Sequence, residues 1–343
     1  MMEMSYGLEA LRPKYAAASI PMDSLHPGDQ LDHYRIEGLV ARSGMASIFR
    51  GTDLRDGRQV AIKIPHPEVE GDPALYDRFQ REAEIGKSLD HPGVMKVFSD
   101  ENRSRVYMVM EWVDGRLLRK ILDEERKLPP ERAVHLTLRI LEALEYIHSK
   151  GVVHRDLKPD NVMVDASDNI KLIDFGIAAN AKSRRLTFAN FSNTMGTPDY
   201  ISPEQVKGKR GDARSDLYAL GVMLYEMLTG KVPFTGENAF LIMNDRLLNN
   251  PLPPREIDPT ITPQLQEIIY RAMERNPRNR YASARDFASD LQQQEKVGVA
   301  ARPELHNWKD RRTPWGRRIL FYVALALLPV VIFALLLYVA KHT

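Results

Sequence analysis

The residues carrying the most chemistry form a short run, His154-Arg155-Asp156-Leu157-Lys158-Pro159-Asp160-Asn161, followed thirteen residues after Asn161 by Asp174-Phe175-Gly176. Carboxylates, a lysine and an amide gathered this closely suit phosphoryl transfer. That reaction asks for little covalent help: the triphosphate must be clamped, a metal held against it, and an acceptor hydroxyl aimed in line. Upstream, Lys63 ends Val60-Ala61-Ile62-Lys63, and nineteen residues later Glu82 lies in Arg81-Glu82-Ala83-Glu84.

Together these runs resemble the signature of the eukaryotic-type protein kinases, and specifically their bacterial serine/threonine members. The resemblance implies that Asp156 accepts or orients the acceptor's proton and that Lys158 neutralises charge on the moving phosphoryl group. It also implies ATP as cofactor, with Asn161 and Asp174 as oxygen ligands of Mg²⁺ or Mn²⁺. Lys63 is expected to pair with the α- and β-phosphates and with Glu82. Glu84 competes for that place, but it points roughly 200° around a helix from Glu82, so only one of them can face Lys63. Lys158 and the stretch Gly196-Thr197 are the serine/threonine form of the signature. Proteins bearing serine or threonine acceptors are the implied substrates, with autophosphorylation of the chain's own activation loop.

That loop runs from Asp174 to Glu204 and ends in Gly196-Thr197-Pro198-Asp199-Tyr200-Ile201-Ser202-Pro203-Glu204. Arg155 is placed to pair with a phosphate on Thr187, Ser192 or Thr194. Asp216 resembles a buried aspartate that pins the catalytic loop, and Arg280 an arginine that pairs with Glu204. A buried carboxylate without such partners is costly, so both assignments carry a physical demand.

The phosphate-covering loop departs from the family pattern. Where Gly-x-Gly-x-x-Gly-x-Val is expected, the chain reads Ala41-Arg42-Ser43-Gly44-Met45-Ala46-Ser47-Ile48, without the three motif glycines. Glycine serves there because backbone amides approach phosphate closely, and Ala41, Ser43 and Ala46 are at least small. This loop keeps open the alternative of a membrane-tethered pseudokinase scaffold. The resemblance places the nucleotide against Val40, Ser43, Gly44, Ile48, Ala61, Lys63, Met110 and Met163, with backbone hydrogen bonds from Glu111 and Val113.

The elements that must position these residues follow from periodicity. Tyr34 to Val40, Ser47 to Thr52, Gln59 to Ile64 and Val106 to Trp112 read as strands, with a turn at Asp56-Gly57 and one helix over Pro73 to Leu89. After Asp114-Gly115 the habit becomes helical, as in Ala133, Leu136, Ile140, Leu144 and Ile147. The expected fold class is α+β: a bilobal protein-kinase fold over 34–294, with an N-lobe over 34–113 and a C-lobe over 114–294. An N-terminal segment, 1–33, has no assigned role, and 295–318 reads as a basic juxtamembrane linker.

Ile319 to Ala340 is an apolar run without one charge, long enough at 1.5 Å per residue to cross a hydrocarbon core of about 30 Å. It is expected to be a transmembrane helix. Lys309, Arg311, Arg312, Arg317 and Arg318 precede it and only the stub 341–343 follows, which places the kinase part in the cytoplasm and the chain in the inner (plasma) membrane. On this reading the chain has no extracytoplasmic sensor of its own. A homodimer acting in trans is left open. A net charge of +2 gives no basic face for nucleic acid, and the lack of cysteine excludes disulfides and thiolate chemistry.

Overall fold

The computed structural model describes residues 25–99, 103–174 and 198–300. Its N-terminal lobe opens with strands β1 (Gln30–Leu31), β2 (Tyr34–Arg42), β3 (Ala46–Asp53) and β4 (Gln59–Pro65). Helices α1 (Pro67–Gly71) and α2 (Pro73–Ser88) follow, then β5 (Val97–Phe98) and β6 (Met108–Glu111). The strands form one antiparallel sheet in the order β1-β2-β3-β4-β6-β5.

Alternation along the strands decides what each face does. Val60, Ile62 and Ile64 of β4 join Tyr34, Phe49 and Val109 in one apolar cluster. The intervening Ala61 joins Met108 and Met110 in a second cluster with Phe79 and Ala83 of α2. Lys63 shares the parity of Ala61, so its side chain lies on the α2 side of the sheet.

Helix α2 begins where Asp72 accepts hydrogen bonds from the N–H groups of Ala74 and Leu75 and Pro73 fills the first turn, a cap worth about 1 kcal/mol. Its buried residues are Phe79, Ala83 and Gly86, a stripe at helical spacing to which Glu82 belongs. Glu84 is exposed, as its angle around the helix requires. The sequence led to the expectation of one helix in this lobe. The structure adds the short α1, started by Pro67 and holding only Val69 in the core.

The C-terminal lobe starts with β7 (Arg116–Leu117), α3 (Leu118–Glu125) and α4 (Pro130–Ser149). Strands β8 (Val162–Val164) and β9 (Ile170–Leu172) complete a small antiparallel sheet with β7. Then come α5 (Pro203–Val206), α6 (Ala213–Thr229), α7 (Ala239–Leu248), α8 (Pro254–Ile257), α9 (Pro263–Ala272) and α10 (Ala284–Gln292). Every residue of α6 from Ser215 to Thr229 is buried, so this helix is the axis of the lobe. Ala133, Leu136, Ile140, Leu144 and Ile147 of α4 are fully enclosed in the same core.

Two backbone hydrogen bonds join the lobes: Met95 N–H to Leu172 O and Leu172 N–H to Gly93 O, both 2.9 Å. They dock the chain leaving α2 onto β9, the strand that leads to Asp174. The apolar run 319–340, expected from the sequence to span a membrane, and the linker beyond residue 300 lie outside the described residues. Among those described, no helix is long and apolar enough to cross a membrane.

Candidate active site

Lys63 is the meeting point of the two lobes. Its Nζ donates to Glu82 Oε1 at 2.7 Å and to Asp174 Oδ1 at 2.8 Å. Burial alone would pull the ammonium's pKa down, but Asp174 and Glu82 outweigh it and hold it above the ordinary lysine value. The carboxylates divide: burial and then the proximity of Asp174 push Glu82 up, whereas Asp174 overcomes burial through Lys63 and stays low. Lys63 therefore stays protonated, and Asp174 ionised, at neutral pH.

Glu82 reaches Lys63 because α2 lies close on the sheet. Gly86 makes that approach: a Cβ there would stand 2.3 Å from Val97 Cγ2 of β5. Gly86→Leu forces α2 outward by the width of a side chain. A displacement of about 1 Å in a catalytic array costs on the order of a hundredfold in rate. We expect kcat to fall by that order with the circular dichroism spectrum unchanged. A crystal structure of the variant is expected to show Lys63 and Glu82 apart.

The second half of the site is the loop between α4 and β8. Lys158 Nζ donates to Asp156 Oδ2 at 2.9 Å, and Asn161 Nδ2 donates to the Asp156 carbonyl at 2.7 Å and to its Oδ2 at 3.1 Å. The Asp156 side chain is 55% exposed, accessible to an incoming hydroxyl. Asn161 is buried, and its carbonyl accepts from Ile173 N–H at 3.0 Å, which fixes the register between this loop and Asp174.

The loop holds a strained shape. Arg155 in this loop has φ 64°, and Asp174, which follows β9, φ 51°, both left-handed without being glycine, at a cost of about 1 to 3 kcal/mol each. Asp216 of α6 supplies the restraint: its carboxylate accepts from His154 N–H at 2.9 Å and Arg155 N–H at 2.8 Å, with His148 Nε2 at 2.8 Å. Gln205 Nε2 donates to the Arg155 carbonyl at 2.9 Å. Below them, Arg280 grips both oxygens of Glu204 at 2.7 Å, and Ser215 Oγ adds a third bond at 2.7 Å.

Of the nucleotide residues expected from the sequence, Ala61 and Met110 are buried, and Ile48, Val113 and Met163 pack against the same apolar cluster. Val40 is not part of it and is 52% exposed. Glu111 ends β6 beside this cluster. Its carboxylate accepts from Lys171 Nζ at 2.6 Å and from Lys96 N–H at 2.8 Å, so the strand joining the lobes is held from both.

Ser43 and Gly44 form the tip of the β2–β3 hairpin. Ser43 Oγ accepts from the N–H groups of Ala46 at 3.1 Å and Met45 at 3.3 Å, and donates to Ala46 O at 3.0 Å. His66 N–H donates to Met45 O at 2.9 Å. A serine turn thus shapes the tip where the family pattern has glycine. Gly44 has open space above it.

The donor set suits a hard divalent cation. Asp174 offers a carboxylate, and Asn161, with its Nδ2 engaged by Asp156, keeps its amide oxygen as a donor. Among the described residues no three His, Cys, Asp or Glu side chains gather into a cage, so an ion here would rely on phosphate and water oxygens, as Mg²⁺ does. Phe175, Gly176, Thr187, Ser192, Thr194, Gly196 and Thr197 lie outside the described residues.

Sequence reasoning missed three contributors: His148, Gln205 and the Glu111–Lys171 pair. Gln205 adjoins Ser202-Pro203-Glu204 and was within reach of a motif-based reading. His148 sits at the end of α4 with nothing in the sequence linking it to Asp216, and the Glu111–Lys171 pair spans 60 positions.

Comparison with known proteins gives a consistent result. The family model described as protein kinase domain matches residues 34–294. A probable serine/threonine-protein kinase of Streptomyces coelicolor is 41% identical over 264 residues, covering 76% of this chain and 39% of that protein. The serine/threonine-protein kinase PknB of Mycolicibacterium smegmatis is 36% identical over 265 residues, covering 76% of this chain and 42% of its own length. The chain thus spans about two fifths of the length of these relatives. Among solved structures, the kinase domain of Mycobacterium tuberculosis PknI superposes with a TM-score of 0.62 at 25% identity, covering 79% of this chain and all of that one.

Proposed function

This chain belongs to the protein kinase family, and on that premise we propose that it transfers the γ-phosphoryl group of ATP to serine and threonine hydroxyls of proteins, including its own activation loop. The observation that carries the proposal is Lys63 bridging Glu82 and Asp174, because the nucleotide phosphates and their metal belong where that ammonium and that carboxylate meet. A pseudokinase is not favoured, since Lys63, Glu82, Asp156, Asn161 and Asp174 are all present.

The residues divide the work. Lys63 holds the α- and β-phosphates and Glu82 holds Lys63 in place. Asn161 and Asp174 would hold Mg²⁺ or Mn²⁺, which would neutralise charge on the phosphates. Asp156 receives the hydrogen bond of the acceptor hydroxyl and aims its oxygen, and Lys158 faces the charge of the moving phosphoryl group. Ile48, Ala61, Met110 and Met163 enclose the adenine, Glu111 and Val113 offer it backbone hydrogen bonds, and Val40, Ser43 and Gly44 cover the nucleotide from above.

Incubating the purified protein with ATP, Mg²⁺ and a generic basic protein tests this directly. Asp156→Asn keeps the shape but cannot take a proton, and a positioned base contributes about 10² to 10⁴ in rate. A fall of that size in kcat, with ATP binding retained, is expected. Equal rates for the variant and the parent overturn the assignment.

The run 319–340 is proposed as a single membrane anchor with the kinase domain on the cytoplasmic side, supported by its apolar length and by the basic residues before it. Truncation after Gln294 is expected to move the protein from the membrane to the soluble fraction with its activity kept.

A further inference from the structure

We propose that Arg50 is a positioning residue for the nucleotide: its guanidinium, stacked on Trp112, holds the β2–β3 hairpin down on the strand that joins the lobes, and nucleotide leaves when that stack opens. The proposal deepens the kinase reading and rests on it for the place of the nucleotide.

Arg50 stands in the row of the sheet that leads to the joining strand. On β3 it pairs with Ala61 of β4, and Ala61 pairs with Met110 of β6. It shares the parity of Ile48, so its side chain lies on the face of the Ala61 and Met110 cluster and not on the face of Phe49. From there the guanidinium carbon lies over the ring of Trp112, 4.8 Å from the centroid. Trp112 stands between Glu111 and Val113, the two residues whose backbone is proposed to bind adenine, and packs on the same cluster.

Two ties at its edges orient the guanidinium. Arg50 Nη2 donates to Gln59 Oε1 at 2.6 Å, and its Nε stands 2.9 Å from Glu37 Oε2. Thr52 Oγ1 donates to the same Glu37 carboxylate. Glu37 itself is the extra residue of a bulge in β2, since Ile36 pairs with Gly51 and Gly38 with Arg50, the next residue back along β3. A bulge re-aims a side chain, and here it serves the pair with Arg50. The Arg50 side chain is 40% exposed, so the ion pair alone is worth little. The planar stack on the indole, held in orientation by both ties, carries the contact.

The neighbouring residue of the joining strand is anchored to the other lobe, because Glu111 accepts from Lys171 Nζ of β9 at 2.6 Å. Lifting the hairpin therefore opens the contact between Arg50 and Trp112 and does not carry the strand along. The tip sharpens this consequence. Ala41, Ser43 and Ala46 have less backbone freedom than three glycines, and Ser43 Oγ ties the tip further by accepting from Met45 and Ala46 N–H. Such a hairpin yields less at its tip and moves more as a unit about its root, where Arg50 meets Trp112.

The test uses the purified full chain carrying Trp308→Phe/Trp315→Phe, which leaves Trp112 as its only tryptophan, and a fluorescent ADP analogue with Mg²⁺. Arg50→Ala is expected to shift the emission of Trp112 before any nucleotide is added. It should speed release of the analogue, followed by stopped flow, about fivefold and raise the KM for ATP by the same factor. The single-turnover rate at saturating ATP and the KM for a peptide acceptor should not move. Arg50→Lys keeps the charge without the planar face and should recover only part of the loss. Glu37→Gln, a change of charge and not of size, should give a smaller acceleration in the same direction. Trp112→Leu should release the analogue as fast as Arg50→Ala, and the double variant no faster than either. Faster release in these variants, with no protein phosphorylated by the parent, keeps the role of Arg50 and removes the kinase reading. Unchanged release or unchanged Trp112 emission in Arg50→Ala overturns the proposal. So do effects of Arg50→Ala and Trp112→Leu that add in full, or a loss that falls on the single-turnover rate in place of release.

Discussion

Replacing Lys63 with alanine is expected to lower kcat/KM for phosphoryl transfer by about a thousandfold or more. The variant loses the cation proposed to face the phosphates, and electrostatic groups aimed at developing charge are worth about 10² to 10³ each. It also leaves Glu82 and Asp174 without the ammonium now 2.7 and 2.8 Å from them. One of the two must then take up a proton or move away, so Asp174, the carboxylate proposed to bind the metal, is disturbed as well. Lys63→Arg keeps the charge but not the compact ammonium, and should recover only a small part of the rate. Titration with a fluorescent ATP analogue separates the effects: weaker binding and slower chemistry should both appear. Full turnover in Lys63→Ala would mean that another cation holds the phosphates.

The largest loss of stability is expected from Arg280→Ala. Arg280 and Glu204 are both buried and meet through two parallel hydrogen bonds of 2.7 Å. Removing one partner of such a pair costs about 3 to 5 kcal/mol, because the other charge is left enclosed. For a domain of this size each 1 kcal/mol shifts the melting temperature by about 2 to 4 °C, so a fall of roughly 10 °C is expected by calorimetry.

The pH dependence gives a second check. Burial alone would raise the pKa of Glu204, but Arg280 and Ser215 hold it below the ordinary glutamate value. The stability it contributes is therefore fully present above that ordinary value and is lost as pH falls through the depressed one. Without Arg280, burial acts unopposed by the guanidinium and the folded-state pKa rises above the unfolded one. At this position the dependence then reverses, and the variant should gain stability, relative to the parent, as pH is lowered toward the acid range.

Motifs and strand parity carried much of the site into view before any tertiary information. Val60 to Lys63 alternates faces, so Lys63 had to lie opposite Val60 and Ile62, and Glu82 rather than Glu84 had to share the buried stripe of α2. The helical spacing of Ala133 to Ile147 gave the buried face of α4. The short α1 was not legible, because five residues with a single buried side chain carry no period. The serine turn at Ser43 was not legible either, since a departure from a pattern says what is missing and not what replaces it.

The sequence alone determined the parts that depend on local order: the family motifs, the strand and helix periods, the lack of cysteine and the apolar run near the C-terminus. Tertiary structure decided the parts that depend on distant chain segments meeting. Asp216 reaches His154 and Arg155 from 62 and 61 positions away, Lys63 finds Asp174 across 111, and Arg280 finds Glu204 across 76. No local period encodes such meetings. They exist because two packed cores fix where each side chain must stand, and a strained loop or a buried charge persists only where that packing supplies its partner.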